Sequence, residues 1–226
     1  MSLISAVESD ENTGSLTSRA YNNLREDIIE GKLEPGTKLK VEELRKRYGI
    51  GASPVREALS LLTSDGLVDR IGQRGFRVAI VSKEDFADIL KARCWLEERA
   101  LRESIKNGDT EWEESVVLAF YRLSREPRSI GSEGAFLTNP DWENLHKTFH
   151  QKLIAACGSP ILLEFCDRLY DQNVRYRNLA GSASYPRRDS QLEHEHIMQA
   201  TLDRAEDLAA TRLVDHYRQT GKFLEK

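Results

Sequence analysis

From Thr17 onward the chain is a succession of apolar stripes of helical period, interrupted by short segments containing Gly, Pro and Asp. Ala20, Leu24, Ile28 and Ile29 fall on one helical face and predict a first helix that stops at Gly31. Leu33-Glu34-Pro35-Gly36 is a turn signal, and the short helix predicted over Val41–Tyr48 ends at Gly49. A further helix is expected from Ser53-Pro54, because a hydroxyl can cap orphan amides and proline suits a first turn. Val55, Ala58, Leu59 and Leu62 form its apolar face, which lasts until Gly66. The period then changes. Leu67–Arg70 and Gly75–Ala79 predict two short strands around a Gly72-Gln73-Arg74-Gly75 tip. Beyond Val81 only helical spacing recurs, over about 83–107, 109–126, 140–157, 160–180, 187–203 and 205–221. Residues 1–16 are polar and aperiodic and are expected to form a disordered tail.

This order of elements predicts a mainly α protein of two domains. A winged helix-turn-helix, three helices plus a β-hairpin wing, occupies 17–80, and an all-α six-helix domain occupies 81–226. Charge sharpens the division. The net charge is −4, but residues 17–80 hold 12 Lys/Arg against 9 Asp/Glu, whereas 81–226 hold 21 against 25. The positive excess sits where a DNA-contacting module requires it. No run of about 18 apolar residues is present for a membrane span, and the acidic N-terminus does not resemble a secretory signal. A cytoplasmic, nucleoid-associated location follows, with Cys94, Cys157 and Cys166 as reduced thiols because they lack paired spacing.

In a helix-turn-helix the second short helix enters the major groove with its N-terminal residues at base edges. Ser53, Val55 and Arg56 are the base-reading candidates, and the guanidinium of Arg56 suits a bidentate contact with guanine. Arg74 and Gly75 at the wing tip are placed for adjacent backbone or minor groove. Lys38, Lys40, Arg45, Lys46 and Arg47 are candidates for phosphate contacts, which position without reading sequence. A lone arginine on a short helix is as readily a solvated surface group, so the weight rests on the concurrence of charge, element order and wing.

The wording of the segment adds to its pattern. Ile28-Ile29-Glu30-Gly31-Lys32-Leu33-Glu34-Pro35-Gly36, Ser53-Pro54-Val55-Arg56-Glu57-Ala58-Leu59, Asp65-Gly66-Leu67-Val68 and Arg74-Gly75-Phe76-Arg77-Val78 closely resemble the GntR superfamily of bacterial transcription regulators. The family usually has Ser-Arg-Thr-Pro before its Val-Arg-Glu. Here Gly51-Ala52-Ser53-Pro54 stands instead, so Ala52 replaces an arginine that commonly contacts DNA.

Four of the five histidines occupy suggestive positions in the later half. A four-residue step turns a helix by about 400°, so His146 and His150 share a face one turn apart. Both can reach one metal ion, with His194 and His216 from two later helices closing the site. His196 lies about 200° from His194 around its helix, so only one of them can face the same interior, and His194 is the candidate. The same spacing also fits a surface or hydrogen-bonded pair.

Arg93-Cys94-Trp95-Leu96-Glu97, Phe149-His150-Gln151-Lys152-Leu153, Gly158-Ser159-Pro160-Ile161-Leu162, Glu193-His194 and Leu213 with His216 resemble the FCD effector domain of the FadR-like branch of that superfamily. The resemblance implies three histidine ligands, His150, His194 and His216, for a divalent cation. It places His146 where the family has Asp or Asn. An all-nitrogen set favours zinc or nickel over manganese. It further implies a small mono- or dicarboxylate effector, with Arg93 at the effector-contacting position and Arg177 as a second candidate. Homodimerisation through the helical domain, double-stranded operator DNA as partner and repression as the usual output are implied in the same way. Gly51-Ala52-Ser53-Pro54 and the four histidines together resemble carbon-starvation regulators that respond to dicarboxylates.

Two rival functions are weaker fits to the chain. His146-Lys147-Thr148-Phe149-His150 has the histidine spacing of zinc proteases, but Lys147 stands where such a hydrolase needs a general-base Glu. A pure interaction adaptor needs neither the basic wing nor a metal site.

Overall fold

The structure is a computed structural model that describes residues 7–72, 75–131, 136–184 and 188–222. It divides into two compact units, Met1–Val81 and Ser82–Lys226.

In the first unit, α1 (Val7–Ile29) is followed by β1 (Lys38–Leu39), α2 (Val41–Tyr48), α3 (Ala52–Ser64), β2 (Val68–Arg70) and β3 (Phe76–Val78). Burying one stripe of each helix makes the core: Ala20, Leu24 and Ile28 from α1 meet Leu44 from α2 and Val55, Ala58, Leu59 and Leu62 from α3. The wing is an antiparallel sheet in the order β1-β3-β2, with Leu39 opposite Phe76 and Val68 opposite Val78. Sequence pattern anticipates β2 and β3 but not β1, whose two residues are too few to show alternation. Gly75 closes the hairpin at φ 118°, a conformation open to glycine and strained for other residues.

Two further details differ from the pattern. Helix α1 begins at Val7, ten residues before the start predicted at Thr17, and takes up part of the segment expected as a tail. Helix α3 begins at Ala52, with Gly51 as its N-cap and no side-chain cap. The first helical bond runs from Val55 N to Gly51 O (3.3 Å), so Ser53 is inside the first turn and its hydroxyl is not the cap. The four-residue tip Gly72–Gly75 is described only in part, because Gln73 and Arg74 lie outside the described residues.

The second unit comprises α4 (Lys83–Asn107), α5 (Thr110–Ser124), α6 (Pro140–Ile154), α7 (Pro160–Ser184), α8 (Ser190–Leu202) and α9 (Glu206–Lys222). The starts of α4, α5, α6 and α8 are set by short polar side chains that accept backbone amides: Ser82 from Asp85, Asp109 from Trp112, Asn139 from Asp141 and Asp189 from Leu192. Helix α4 packs on α7 and α9, α5 on α6 and α8, and α8 on α9. Leu101, Val116, Phe149, Leu153, Ile197 and Leu213 fill the centre. Among the described residues no helix is long and apolar enough to cross a membrane.

The α4–α5 corner is tightly closed. A Cβ on Gly108 would overlap the Trp112 ring and lie 2.7 Å from the Ser104 carbonyl oxygen. Gly108→Ala is therefore expected to destabilise this unit by about 1–3 kcal/mol, the usual range for overpacking. Urea unfolding of the variant checks this, and a midpoint equal to that of the wild type would refute it.

A candidate metal centre and a candidate nucleic-acid interface

The inward stripe of α6 is Trp142, His146, Phe149, His150 and Leu153, so the two histidines share the core-facing surface with its largest apolar residues. His194 on α8 and His216 on α9 point to the same place, and all four imidazoles are buried. One ring nitrogen from each lies within 4.8 Å of all the others. His146 Nε2 is 3.1 Å from both His150 Nε2 and His194 Nε2. His196, two residues from His194, faces solvent.

The outer nitrogens explain the orientation. His150 Nδ1 lies 2.9 Å from the Tyr217 hydroxyl, which donates its own proton to Glu97 and so accepts from the imidazole. His216 Nδ1 lies 2.7 Å from Glu193 Oε2, and Arg188 holds that carboxylate in a fork at 2.9 and 2.5 Å. A proton on each of these Nδ1 atoms leaves Nε2 of His150 and His216 as an inward lone pair, the form that binds a metal. Burial lowers the pKa of all four imidazoles; for His216 it outweighs the opposing pull of Glu193 and brings the value to about 4. Burial also raises Glu193, but the hydrogen bonds from Arg188 and His216 together bring it down to about 2. Neutral imidazoles whose lone pairs converge repel one another unless a cation lies between them. The residues present thus fit a divalent ion, which would act as a Lewis acid toward an anionic ligand.

Both sequence-nominated arginines are already engaged. Arg93 is buried, with Nε 2.5 Å from Glu97 Oε1, Nη1 2.9 Å from Asn173 Oδ1, and its plane against Tyr170 and Tyr217. Arg177 Nη2 pairs with Glu143, and Nη1 lies 3.0 Å from His146 Nδ1. Each retains one buried N–H without a hydrogen-bond partner among the described residues, Arg93 Nη2 and Arg177 Nε. Lys147 is held by Asp167 at 2.7 Å and Asp171 at 2.9 Å, away from any basic role at the cluster.

Two cavities of about 260 Å³ flank the histidines. One is apolar and includes His150, Tyr170, Leu163 and Cys166; the other includes His194, Trp142, Phe120 and Arg128. Sequence reasoning singled out neither Arg128 nor Arg188. Burial first, then the nearby Arg177 and Arg188, lowers the Arg128 guanidinium to about 10. Both arginines stand at the edges of helix breaks, and no spacing marks them as part of the site.

In the first unit, Ser53 and Arg56 are exposed on α3, and Arg56 has no ion-pair partner among the described residues. Val55 corrects the expectation. It is fully buried, because Val55, Ala58, Leu59 and Leu62 repeat on the core face while Arg56 is turned about 100° away. Lys38, Lys40, Arg45, Lys46 and Arg47 are exposed. Lys40 pairs with Glu43 (2.7 Å), Arg45 with Glu42 (3.1 Å) and Arg47 with Asp27 (2.8 Å). The first two are surface pairs, which contribute about 0–1 kcal/mol and can be exchanged for phosphate, whereas Asp27 is buried and also accepts from Tyr48.

Residues 16–78 match the gntR family of bacterial regulatory proteins, and residues 88–219 match the FCD domain. The chain belongs to the GntR family. It is 40% identical to the uncharacterized HTH-type transcriptional regulator BphR of Paraburkholderia xenovorans over 85% of this chain and 78% of that one. It is 38% identical to the HTH-type transcriptional repressor GlaR of Escherichia coli over 70% of each. Its fold is similar to that of E. coli McbR/YncC, with a TM-score of 0.74, 21% identity and coverage of 90% and 94%. This GntR/FCD protein is a DNA-binding transcriptional regulator and not an enzyme, as its families and relatives are.

Proposed function

We propose that residues 17–80 read a double-stranded operator and that residues 81–226 sense a small mono- or dicarboxylate and form a homodimer, as a cytoplasmic repressor released by its ligand. The observation that carries the sensing half is the set of inward-facing imidazoles of His146, His150, His194 and His216. Their all-nitrogen character favours zinc or nickel. The ion and the remaining N–H groups of Arg93 and Arg177 supply the positive partners for a carboxylate. The name of the relative GlaR, a repressor, favours repression over activation. Ligand binding shifts the regulator only if the DNA-competent and DNA-incompetent states bind it unequally.

The exposed, unengaged guanidinium of Arg56 is the base-reading group of this proposal. Arg56→Ala is expected to weaken operator binding by about 1–3 kcal/mol, read by fluorescence anisotropy on promoter DNA at fixed salt. It should leave the thermal shift with organic acids unchanged. His194→Ala should do the reverse, losing the thermal shift while keeping basal DNA binding. Equal damage to both functions by both variants would sink this division of labour.

A further inference from the structure

A third cavity, about 350 Å³, lies apart from the histidines on the outer faces of α4 and α9 and is larger than either cavity beside them. We infer that it is a second ligand site, which takes a monocarboxylate with a hydrophobic body. The inference is independent of the metal reading, because none of the four histidines borders this cavity.

Helix α4 has two working faces. Arg93 and Glu97 are buried on the inner one, and Trp95, about 200° from each, is exposed on the outer one beside Lys91. Helix α9 repeats the division: His216 and Tyr217 belong to the cluster, whereas Val214, Arg218 and Gly221 border the outer cavity. Phe86, Leu90 and Val214 supply its apolar lining, and Phe86 is braced by the Tyr176 ring, 5.0 Å away between centroids. Gly221 leaves the space open. A Cβ there would lie 3.0 Å from Leu90 Cδ2 and 3.7 Å from Phe86 Cε1, so a side chain at 221 would compete with both for the recess. A recess of this volume is in the range of small-ligand sites. The flat face of a second copy would leave it unfilled, against the close packing of protein contacts.

Charge selects the ligand. Lys83 and Lys91 border the cavity from α4 and Arg218 from α9. Glu98, the acidic residue on this border, already accepts from Arg102 Nε at 3.1 Å. Asp215 stands 3.9 Å from Arg218, beyond hydrogen-bond reach. Lys91 Nζ is 4.9 Å from the centre of the Trp95 ring, which holds a cation against an indole that is 63% exposed. Apolar lining for a hydrocarbon body and cations for one carboxylate complement an amphipathic anion. A dicarboxylate would have to strip water from its second charge against that lining.

Decanoate is the probe, added to the full chain. Trp112 and Trp142 are 6% and 5% exposed, so acrylamide quenching of fluorescence reads Trp95. Decanoate should protect Trp95 saturably. Acetate, which lacks the body, should not protect, and decanol, which lacks the charge, should bind at least about tenfold more weakly. Lys91→Gln and Arg218→Gln should each weaken decanoate about two- to fivefold. Ala87→Phe, at an exposed position on the border, should fill the recess and abolish protection, whereas His194→Ala should keep it. No protection by decanoate, equal protection by decanol, or protection retained in Ala87→Phe overturns the inference. Protection that rises with protein concentration alone also overturns it and assigns the face to a second copy. The three probes on the wild type decide the matter even if a variant fails to fold.

Discussion

Glu97→Ala is expected to lower the stability of the helical unit by about 3–5 kcal/mol, the cost of leaving a buried charge without its partner. Arg93 and Glu97 are each 2% exposed and meet at 2.5 Å, one turn apart on α4. Burial works against the Arg93 charge, but Glu97 and the surrounding hydroxyls outweigh it and raise the guanidinium above its ordinary value. The substitution leaves that cation between two tyrosine rings, with Asn173 as its remaining hydrogen-bond partner. It also frees the Tyr217 hydroxyl that orients His150. Trp95, Trp112 and Trp142, the three tryptophans of the chain, all lie in this unit, so urea unfolding followed by their fluorescence reports on it alone. The Arg99–Glu103 pair, whose arginine is exposed, is the control, and Arg99→Ala should change stability by no more than about 0.5 kcal/mol. A loss below about 1 kcal/mol in Glu97→Ala would contradict the account of Arg93 as a buried, charge-dependent strut.

The second large effect is expected from zinc, the ion proposed for the histidine cluster. At about 100 times its Kd, zinc should stabilise the folded chain by about 2.7 kcal/mol, because it binds the native arrangement and not the unfolded chain. His194→Ala should abolish that gain, since it removes one inward nitrogen from a site assembled by three helices. The quantity to compare is the change in unfolding free energy on adding zinc, which cancels the intrinsic cost of deleting a buried imidazole. An equal gain in wild type and variant would mean that the ion binds elsewhere.

The helical unit is legible in the chain because its signals are local. The helical spacing over about 83–107, 109–126, 140–157, 160–180, 187–203 and 205–221 corresponds in turn to α4 to α9, and the four-residue step from His146 to His150 puts both on one face of α6. The same arithmetic separates His194 from His196, which the structure finds buried and exposed respectively. Val55 shows what happens when two local readings compete: it belongs to the apolar stripe of α3, and the stripe prevails over its nearness to Arg56. The strand β1 and the early start of α1 escape notice, since one is too short for periodicity and the other has no apolar pattern to display.

What the sequence by itself determined is the order of the helices, their inward faces and the identity of the four histidines. What only the tertiary structure decided is the partner of each buried polar group. Arg93 meets Asn173 across 80 residues, Tyr217 meets Glu97 across 120 and Arg177 meets His146 across 31. Helical periodicity constrains neighbours three and four positions apart, whereas a proton on one ring nitrogen or the other depends on groups brought together by packing.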